Sequence, residues 1–300
     1  MVIKINSSLF NEEDCVNKID TILGLVLHRR YELFFDDEDV LENSFWINEA
    51  RTNYKELLFE SFVHTIEGSI KYDVEINEKD DISNKQYSID NGIIFLEGKV
   101  LIFLENAKYD SYFIKGLISN FKNQGKKIQR FLDKRWAAFE NCGGKGNVIN
   151  QISHILSTYD NESLESYNYL RAVLIIDSDR KYKDEEYRDE NGIVKFCEDN
   201  NISMHILEKR EMENYLPMRL YENIDLLNQS ELEKFKKLTF DERDYFDMEN
   251  LSTRVYLTKK NFPMFFDHEA MSQEMLLNQC SHQREPDELI IILKKITSLL

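Results

Sequence analysis

Two short apolar runs constrain the fold more than any other feature of this sequence. VLIFL, residues 100–104, and AVLII, residues 172–176, are apolar at every position, so neither alternates like a strand with one solvated face. Strands that are apolar on both faces are typical of the centre of a parallel sheet with helices on both sides. The sequence therefore predicts an α/β fold with a Rossmann-like, mostly parallel sheet around these two runs.

Helical patterns flank the predicted sheet. Residues 8–66 are predicted to be mostly helical, because apolar residues recur at the spacing of one buried helix face. Residues 92–96 are predicted to be a further strand, joined to the strand at 99–104 by a tight turn. We expect three regions: a mainly helical region at 1–90, an α/β domain at 91–218 and a helical region at 219–300.

The charge balance limits how the chain can meet nucleic acid. Its 55 acidic residues outnumber its 38 basic residues, which gives a net charge of −17. A chain of this charge does not attract polyanions as a whole. Binding to nucleic acid would need a local basic patch or divalent cations.

Cysteine spacing and hydropathy indicate a reduced, cytoplasmic protein without a membrane span. No CxxC pair occurs, which argues against structural zinc and a disulfide framework. The first residues lack the basic and apolar segments of a signal peptide, and no apolar run approaches about 18 residues. We expect buried, reduced thiols at the four cysteines, Cys15, Cys142, Cys197 and Cys280.

Acidic residues follow both apolar strands. Glu105 ends the first run, while Asp177 and Asp179 follow the second. If the strands are parallel neighbours, these carboxylates converge at the sheet edge where open α/β folds bind ligands. Such a cluster is costly unless a cation neutralises it, and hard oxygen ligands select Mg²⁺ or Mn²⁺. The alternative is that each acid caps the next helix.

A charged segment follows the strand predicted near residues 203–207. In LEKREMENYLP, Lys209 precedes Glu211 and Glu213. A carboxylate here could complete a metal shell, while Lys209 offsets phosphate charge. The alternative is a first helical turn rich in Glu, which the helix dipole favours.

A glycine turn precedes a predicted helix at NCGGKGNV, residues 141–148. Gly143, Gly144 and Lys145 could let backbone N–H groups approach a phosphate. The turn is not a P-loop, because Phe139 and Gly146 stand where that motif needs Gly and Ser or Thr. The alternative is a plain turn that uses glycine for its positive φ.

Taken in order, these elements resemble the Toprim domain of primases, topoisomerases and OLD-family nucleases. The resemblance rests on Glu105, on Gly143-Gly144 and on Asp177-Ser178-Asp179. LENAKYDSYFI and KREMENYLP look most like the Toprim part of OLD nucleases and related anti-phage effectors. The resemblance covers residues 99–218, and Asn106 stands where the family usually has Gly.

The resemblance implies a Mg²⁺- or Mn²⁺-dependent endonuclease that hydrolyses DNA or RNA phosphodiesters and serves in antiviral defence. Asp177 and Asp179 would hold metal, and Glu105 would hold metal or act as general acid–base. Glu213, or in second place Glu211, would complete a second metal site. Lys209 would stabilise the developing charge.

Glu97 competes with Glu105 for the first acidic position. It also follows an apolar stretch, and Gly98 supplies the Glu-Gly pair that is usual in the family. No Asp follows Glu97 in the way that Asp110 follows Glu105. We therefore expect the Glu105 carboxyl within about 8 Å of Asp177, given two-metal spacings near roughly 4 Å. We expect Glu97 at the opposite end of the sheet.

Basic residues are concentrated between residues 115 and 145, where eight Lys or Arg face two acids. We predict a track that binds the nucleic-acid backbone beside the acidic site. The alternative is a solvated helix face. The predicted track consists of Lys122, Lys126, Lys127, Arg130, Lys134 and Arg135.

Two further function classes remain open. An effector nuclease could depend on an ATPase, another regulatory protein or self-assembly, with the acidic flanks as contact surfaces. Alternatively, the chain could be a non-catalytic, nucleotide-binding or regulatory protein with receiver-like topology. Metal-dependent cleavage of plasmid DNA separates this last class from the others.

Overall fold

A computed structural model describes residues 1–68, 70–223, 227–251, 257–267 and 271–300. The chain divides into two units, each with its own parallel sheet. The first unit contains Met1–Gly98, Thr158–Leu170 and Leu300. The second contains Lys99–Ser157 and Arg171–Leu299.

The first unit is built on a four-stranded parallel sheet in the order β2-β1-β3-β4. Its strands are β1 (Val2–Ile5), β2 (Glu32–Phe34), β3 (Val74–Asn77) and β4 (Gln86–Ser88). Buried apolar side chains of the strands and helices form its core. The helices are α1 (Val16–Leu27), α2 (Glu38–Asn43), α3 (Phe45–Glu49), α4 (Thr52–Glu67) and α5 (Ile89–Glu97).

Residues 1–90 are mainly helical, as expected, although they also contain a sheet of their own whose strands have only three or four residues. One expectation for this part of the chain was wrong. Residues 92–96 form the middle of α5 and not a strand. A short apolar run fits a buried helix as well as a buried strand. Here Gly92 lets α5 lie against β3, because a Cβ on it would be 2.5 Å from Ile76 Cδ1.

The second unit contains the two apolar runs as adjacent central strands, which confirms the predicted α/β class. Its parallel sheet has the order β6-β5-β7-β8, and Leu104 pairs with both Asn141 and Ile175. All four strands therefore end at one edge, here called the carboxyl edge. The strands are β5 (Val100–Leu104), β6 (Ala137–Asn141), β7 (Arg171–Ile176) and β8 (Ser203–Ile206).

Helices of the C-terminal region belong to the same unit as this sheet, so residues 219–300 do not form the separate region expected. Within this region residues 224–226, 252–256 and 268–270 lie outside the described residues. The unit's longer helices are α6 (Ala107–Asn120), α7 (Lys122–Asp133), α8 (Val148–Leu156), α9 (Ile193–Asp199), α10 (Gln229–Lys237), α14 (Gln273–Cys280) and α15 (Glu288–Thr297). Its short helices are α11 (Phe240–Asp244), α12 (Leu257–Lys260) and α13 (Phe262–Phe266).

All four cysteines are buried free thiols, as the sequence predicts. Across the described part of the chain, no helix has both the length and the apolar character needed to cross a membrane.

Candidate active site

A cavity of about 500 Å³ lies at the carboxyl edge of the second unit's sheet. The loops that follow β5, β6, β7 and β8 all contribute to its wall. Its lining combines eight acidic side chains with two basic ones. The acids are Glu105, Asp110, Asp177, Asp179, Glu211, Glu213, Asp247 and Glu249, and the basic residues are Arg210 and Lys259.

Glu105 and Asp177 are direct neighbours because their strands are paired. Glu105 Oε1 accepts a hydrogen bond of 2.9 Å from the backbone N–H of Asp177. The expected proximity of these two residues is therefore present. Glu97 ends α5 in the first unit and does not line this cavity.

The turn after β7 has a strained backbone. Asp179 has φ of 55°, a left-handed conformation that a non-glycine residue adopts at a cost of about 1–3 kcal/mol. The backbone carbonyl of Arg210 accepts hydrogen bonds from the N–H groups of Ser178 and Asp179 at 3.0 and 3.1 Å. The loop after β8 thus holds the turn Asp177-Ser178-Asp179 in this conformation. Backbone strain of this kind is concentrated at functional sites.

The glycine turn packs beside Glu105 on the other side of β5. Gly143 and Gly144 have φ of 71° and 98°, so both positions favour glycine. The N–H of Gly144 donates to the carbonyl of Glu105 at 2.8 Å. Lys145 forms an ion pair with Asp179, and its Nζ lies 3.9 Å from Glu105 Oε1. In this conformation the glycine turn orients Glu105 and Asp179. The N–H of Gly144 donates to the carbonyl of Glu105 and so does not point at a phosphate.

Lys259, which the sequence did not single out, lies among three of the carboxylates. Its Nζ is 3.0 Å from Asp177 Oδ2, 3.1 Å from Asp110 Oδ1 and 3.7 Å from Glu213 Oε2. Burial acts to lower the pKa of this ammonium. The three carboxylates outweigh burial and hold its pKa well above the ordinary value.

Glu213 is the most deeply enclosed of the cavity's glutamates. Its Oε1 accepts a hydrogen bond from Thr258 Oγ1 at 3.0 Å. Its Oε2 is buried without a hydrogen-bond partner among the described residues. Burial raises the pKa of Glu213 to about 7, although Lys259 acts in the opposite direction. A buried carboxylate oxygen without a donor is an available ligand for a cation.

Glu105, Glu211 and Asp110 also have raised pKa values. Burial, and then the charge of Asp177, raises the pKa of Glu105 to about 8. Burial, and then the charge of Glu213, raises the pKa of Glu211 to about 9. The pKa of Asp110 is raised mainly by burial. These shifts record how poorly the cavity tolerates further negative charge.

The donor set fits a hard divalent cation in chemistry, although its members are not gathered into a ready-made shell. Mg²⁺ and Mn²⁺ take carboxylate oxygens, and the cavity offers several in a desolvated, mutually repelling group. Among the described residues, no three acidic, His or Cys side chains are arranged to hold one ion together. The ammonium of Lys259 contacts three of the carboxylates and supplies positive charge at this place, as a divalent cation would.

Lys209 is not in the cavity, contrary to the role predicted for it. Its ammonium is buried, forms an ion pair with Asp244 at 2.7 Å and donates to the carbonyls of Asn214 and Gln279. It therefore ties the loop after β8 to α11 and α14. Glu211 and Glu213, which follow Lys209 in the sequence, line the cavity, whereas the Lys209 side chain points away from it.

The predicted basic track lies away from the carboxyl edge. Its last residues precede Trp136, whose carbonyl accepts a hydrogen bond from Val100, the first residue of β5. The start of α7 follows α6, which begins at the carboxyl edge and spans 14 residues, or about 21 Å. Both ends of α7 are thus attached at the opposite edge. The expectation that the track lies beside the acidic site was wrong, and its predicted role in binding remains a prediction.

Sequence reasoning missed Lys259 and gave no role to Asp110. Asp110 had a detectable signal, since it lies five residues after Glu105 in the first turn of α6. Lys259 had none, because it is one of two adjacent lysines in a short helix far along the chain. Only the packing of α12 against α6 brings it to the acids.

Comparison of the chain with models of known protein families, with curated proteins and with solved structures found no match.

Proposed function

We propose that the chain is a divalent-metal-dependent nuclease that hydrolyses nucleic-acid phosphodiesters in the cytoplasm, as an effector of antiviral defence. The observation that carries the proposal is the cavity at the carboxyl edge, where acids from the loops after three strands meet a buried lysine. The resemblance of its acidic motifs to Toprim domains supplies the reaction class and the defence role.

Glu105, Asp177, Asp179 and Glu213, with Glu211 nearby, are the residues that would hold Mg²⁺ or Mn²⁺. Bound there, the metal would polarise a phosphate oxygen and lower the pKa of a water molecule. The Oε2 of Glu213, which accepts no hydrogen bond from a described residue, and the other hard oxygen donors support this assignment.

The chain's own residues supply charge and proton transfer. Lys259 takes the role first predicted for Lys209, because its ammonium is the buried positive charge beside the acids and can stabilise charge developing on a phosphate. Glu105, with a pKa raised to about 8, can accept or release a proton near neutral pH. The turn after β8 and Lys145 hold the two aspartates in place.

A cleavage assay tests this proposal. Wild-type protein should cut supercoiled plasmid, linear DNA or RNA with Mg²⁺ or Mn²⁺ and not with EDTA. Asp177→Asn and Asp179→Asn should each lower the rate by at least about a hundredfold, a loss typical of one essential catalytic group. Glu97→Gln is the matched control, since Glu97 also follows an apolar run but belongs to the first unit, and it should keep full activity.

One observation favours a second candidate. Lys259 already neutralises part of the acidic group, as expected for a non-catalytic, nucleotide-binding or regulatory protein. The same assay separates the candidates. In one outcome, the protein binds nucleotide and yet cleaves none of the three substrates in the presence of metal. That result would support the regulatory protein and contradict the nuclease.

A further inference from the structure

The outward face of α4 in the first unit carries an exposed apolar stripe. Phe59, Val63 and Ile66 are 58%, 36% and 64% exposed. Their spacing of four and then three residues puts them on one side of the helix. Phe59 and Val63 border a shallow depression of about 340 Å³, together with Glu60, His64 and Glu67.

The inward face of the same helix packs Leu57, Leu58 and Phe62 on the core of the first unit and adds two hydroxyl groups. Ser61 and Thr65 are buried, and Thr65 Oγ1 accepts a hydrogen bond from the backbone N–H of Phe35 at 3.1 Å. Ser61 Oγ donates to the carbonyl of Leu57 at 2.8 Å. The helix is therefore apolar on two sides, since Leu58 is fully buried in the core while Phe59, Val63 and Ile66 face solvent. An exposed apolar patch of this kind marks a binding surface.

Acidic residues determine which kind of partner fits the stripe. Glu56, Glu60 and Glu67 are exposed, and at 3.6 residues per turn they all fall on the same flank. Lys55 lies on the other flank. The first unit as a whole contains 24 acidic and nine basic residues, so it holds almost all of the chain's excess negative charge.

A second copy of this chain fits poorly. When two identical helices pack antiparallel, the same flank of each lies opposite its counterpart. Glu56, Glu60 and Glu67 would then face the same three residues of the other copy, which is repulsive at these distances.

We propose that the stripe of α4 is a docking surface for an amphipathic helix of a partner protein, with an apolar face and basic residues on one flank. The apolar face covers Phe59, Val63 and Ile66, and the basic flank pairs with the three glutamates. This is the helix-on-surface mode of recognition, in which apolar anchors give affinity and charge gives orientation. The inference does not depend on the nuclease proposal.

Fluorescence anisotropy with two labelled synthetic helices tests the proposal on the full chain. Both peptides present the same leucine face. One peptide, the lysine helix, carries lysines on the flank beside that face, and the other, the glutamate helix, carries glutamates there. The lysine helix should bind and weaken as salt is raised, whereas the glutamate helix should bind at least about tenfold more weakly, since like charges oppose it. Equal binding of the two helices, or none by the lysine helix, would overturn the proposal.

Variants locate the surface. Phe59→Ser with Ile66→Ser should weaken binding of the lysine helix at least about tenfold, because exposed anchors carry most of the binding free energy. Leu27→Ser with Phe45→Ser is the matched control, since both are exposed apolar residues of the first unit outside α4. Equal loss in both variants would contradict the assignment to α4. A dimer in light scattering that Phe59→Ser and Ile66→Ser disperse would make a second copy the occupant and overturn the proposal.

Discussion

At the scale of single residues, burial makes the charged groups of the cavity depend on one another for charge compensation. Asp110, Asp177 and Glu213 are each less than a tenth exposed, and Lys259 is their shared cation. Removing one member of such a buried group leaves the others without compensation, which costs more than the intact group contributes. The acids and the lysine therefore have to be considered together.

Replacing Lys259 by methionine should show this dependence directly. Without metal at pH 8, Lys259→Met should lower the free energy of unfolding by about 3–5 kcal/mol, the usual cost of leaving a buried charge unpaired. Millimolar Mg²⁺ should restore part of this loss, because a divalent ion can take over the missing positive charge. Urea unfolding with and without Mg²⁺ measures both effects.

Lys260→Met provides the control, since Lys260 is adjacent but exposed. It should change the free energy of unfolding by less than about 0.5 kcal/mol. If Lys259→Met were equally mild, the ammonium would not be neutralising the buried acids.

The raised pKa values of the glutamates make stability depend on pH. Burial raises the pKa of Glu105 from 4.5 to about 8 and that of Glu211 to about 9, so the folded chain retains protons that the unfolded chain has released. This stabilisation is fully present below the unfolded pKa and is lost as the pH rises through the folded value. Without divalent metal, the melting temperature should therefore fall between about pH 5 and pH 9.

Glu105→Gln should flatten this pH dependence, because the amide carries no ionisable proton. Glu190→Gln, at an exposed position of the same unit, should leave the slope unchanged. Thermal melts at closely spaced pH values, with EDTA present, make the measurement. A slope that Glu105→Gln leaves intact would mean that other groups account for it.

At the scale of secondary structure elements, the sequence predicted the basic charge of α7 correctly but not the position of this helix relative to the acidic cavity. Its basic residues lie on a helix that packs against α6 through Gly125, where a Cβ would be 2.1 Å from the carbonyl oxygen of Ile118. Across the described residues, no acidic partner lies within ion-pair distance of Lys122, Lys126 and Lys127 of α7, or of Lys134 and Arg135 directly after it. Such a surface suits a phosphate backbone.

Charge reversal on α7 and at Lys134, which directly follows it, should separate nucleic-acid binding from catalysis. Changing Lys126, Lys127 and Lys134 to Glu should weaken nucleic-acid binding and reduce the slope of log K against log salt by about one unit per lost phosphate contact. Metal affinity should stay unchanged, because α7 is attached at the edge opposite the acids.

Reversing Lys234 and Lys237 of α10 is the control, since Glu231 and Glu233 lie on the same helix and Glu231 forms an ion pair with Lys234. An unchanged binding curve for the α7 variant, or an equal loss in the α10 variant, would assign the basic residues of α7 to a solvated face.

The elements also show what could be read from the sequence. The strands β5 and β7 were predicted correctly from unbroken apolar runs that each precede an acid, although this pattern alone does not exclude a buried helix. The strand expected at residues 92–96 failed, since GIIFL is equally suited to a buried helix. Lys259 was unpredictable for a different reason: its role comes from the packing of α12 on α6, which is distant in the sequence and leaves no local pattern.

At the scale of the whole molecule, the excess negative charge is distributed very unevenly. The first unit has 24 acidic against nine basic residues, whereas the second is nearly balanced. The acids of the first unit are spread over its helices and loops, while those of the second include the group that faces one cavity. Salt should therefore act on the chain in two ways, by general screening and by specific binding.

Comparing NaCl with MgCl₂ at equal ionic strength separates the two contributions. Both salts should raise the melting temperature by screening self-repulsion, which destabilises a strongly charged folded chain. MgCl₂ should add a further stabilisation that grows with concentration as expected for one class of sites, about 2.7 kcal/mol at a hundredfold excess over the dissociation constant. That additional part should disappear in a variant with Asp177→Asn and Glu213→Gln and persist in Glu97→Gln. If the two salts acted equally on the wild-type chain, Mg²⁺ would be only a screening ion, and the acidic cavity would lose its assignment as a metal site.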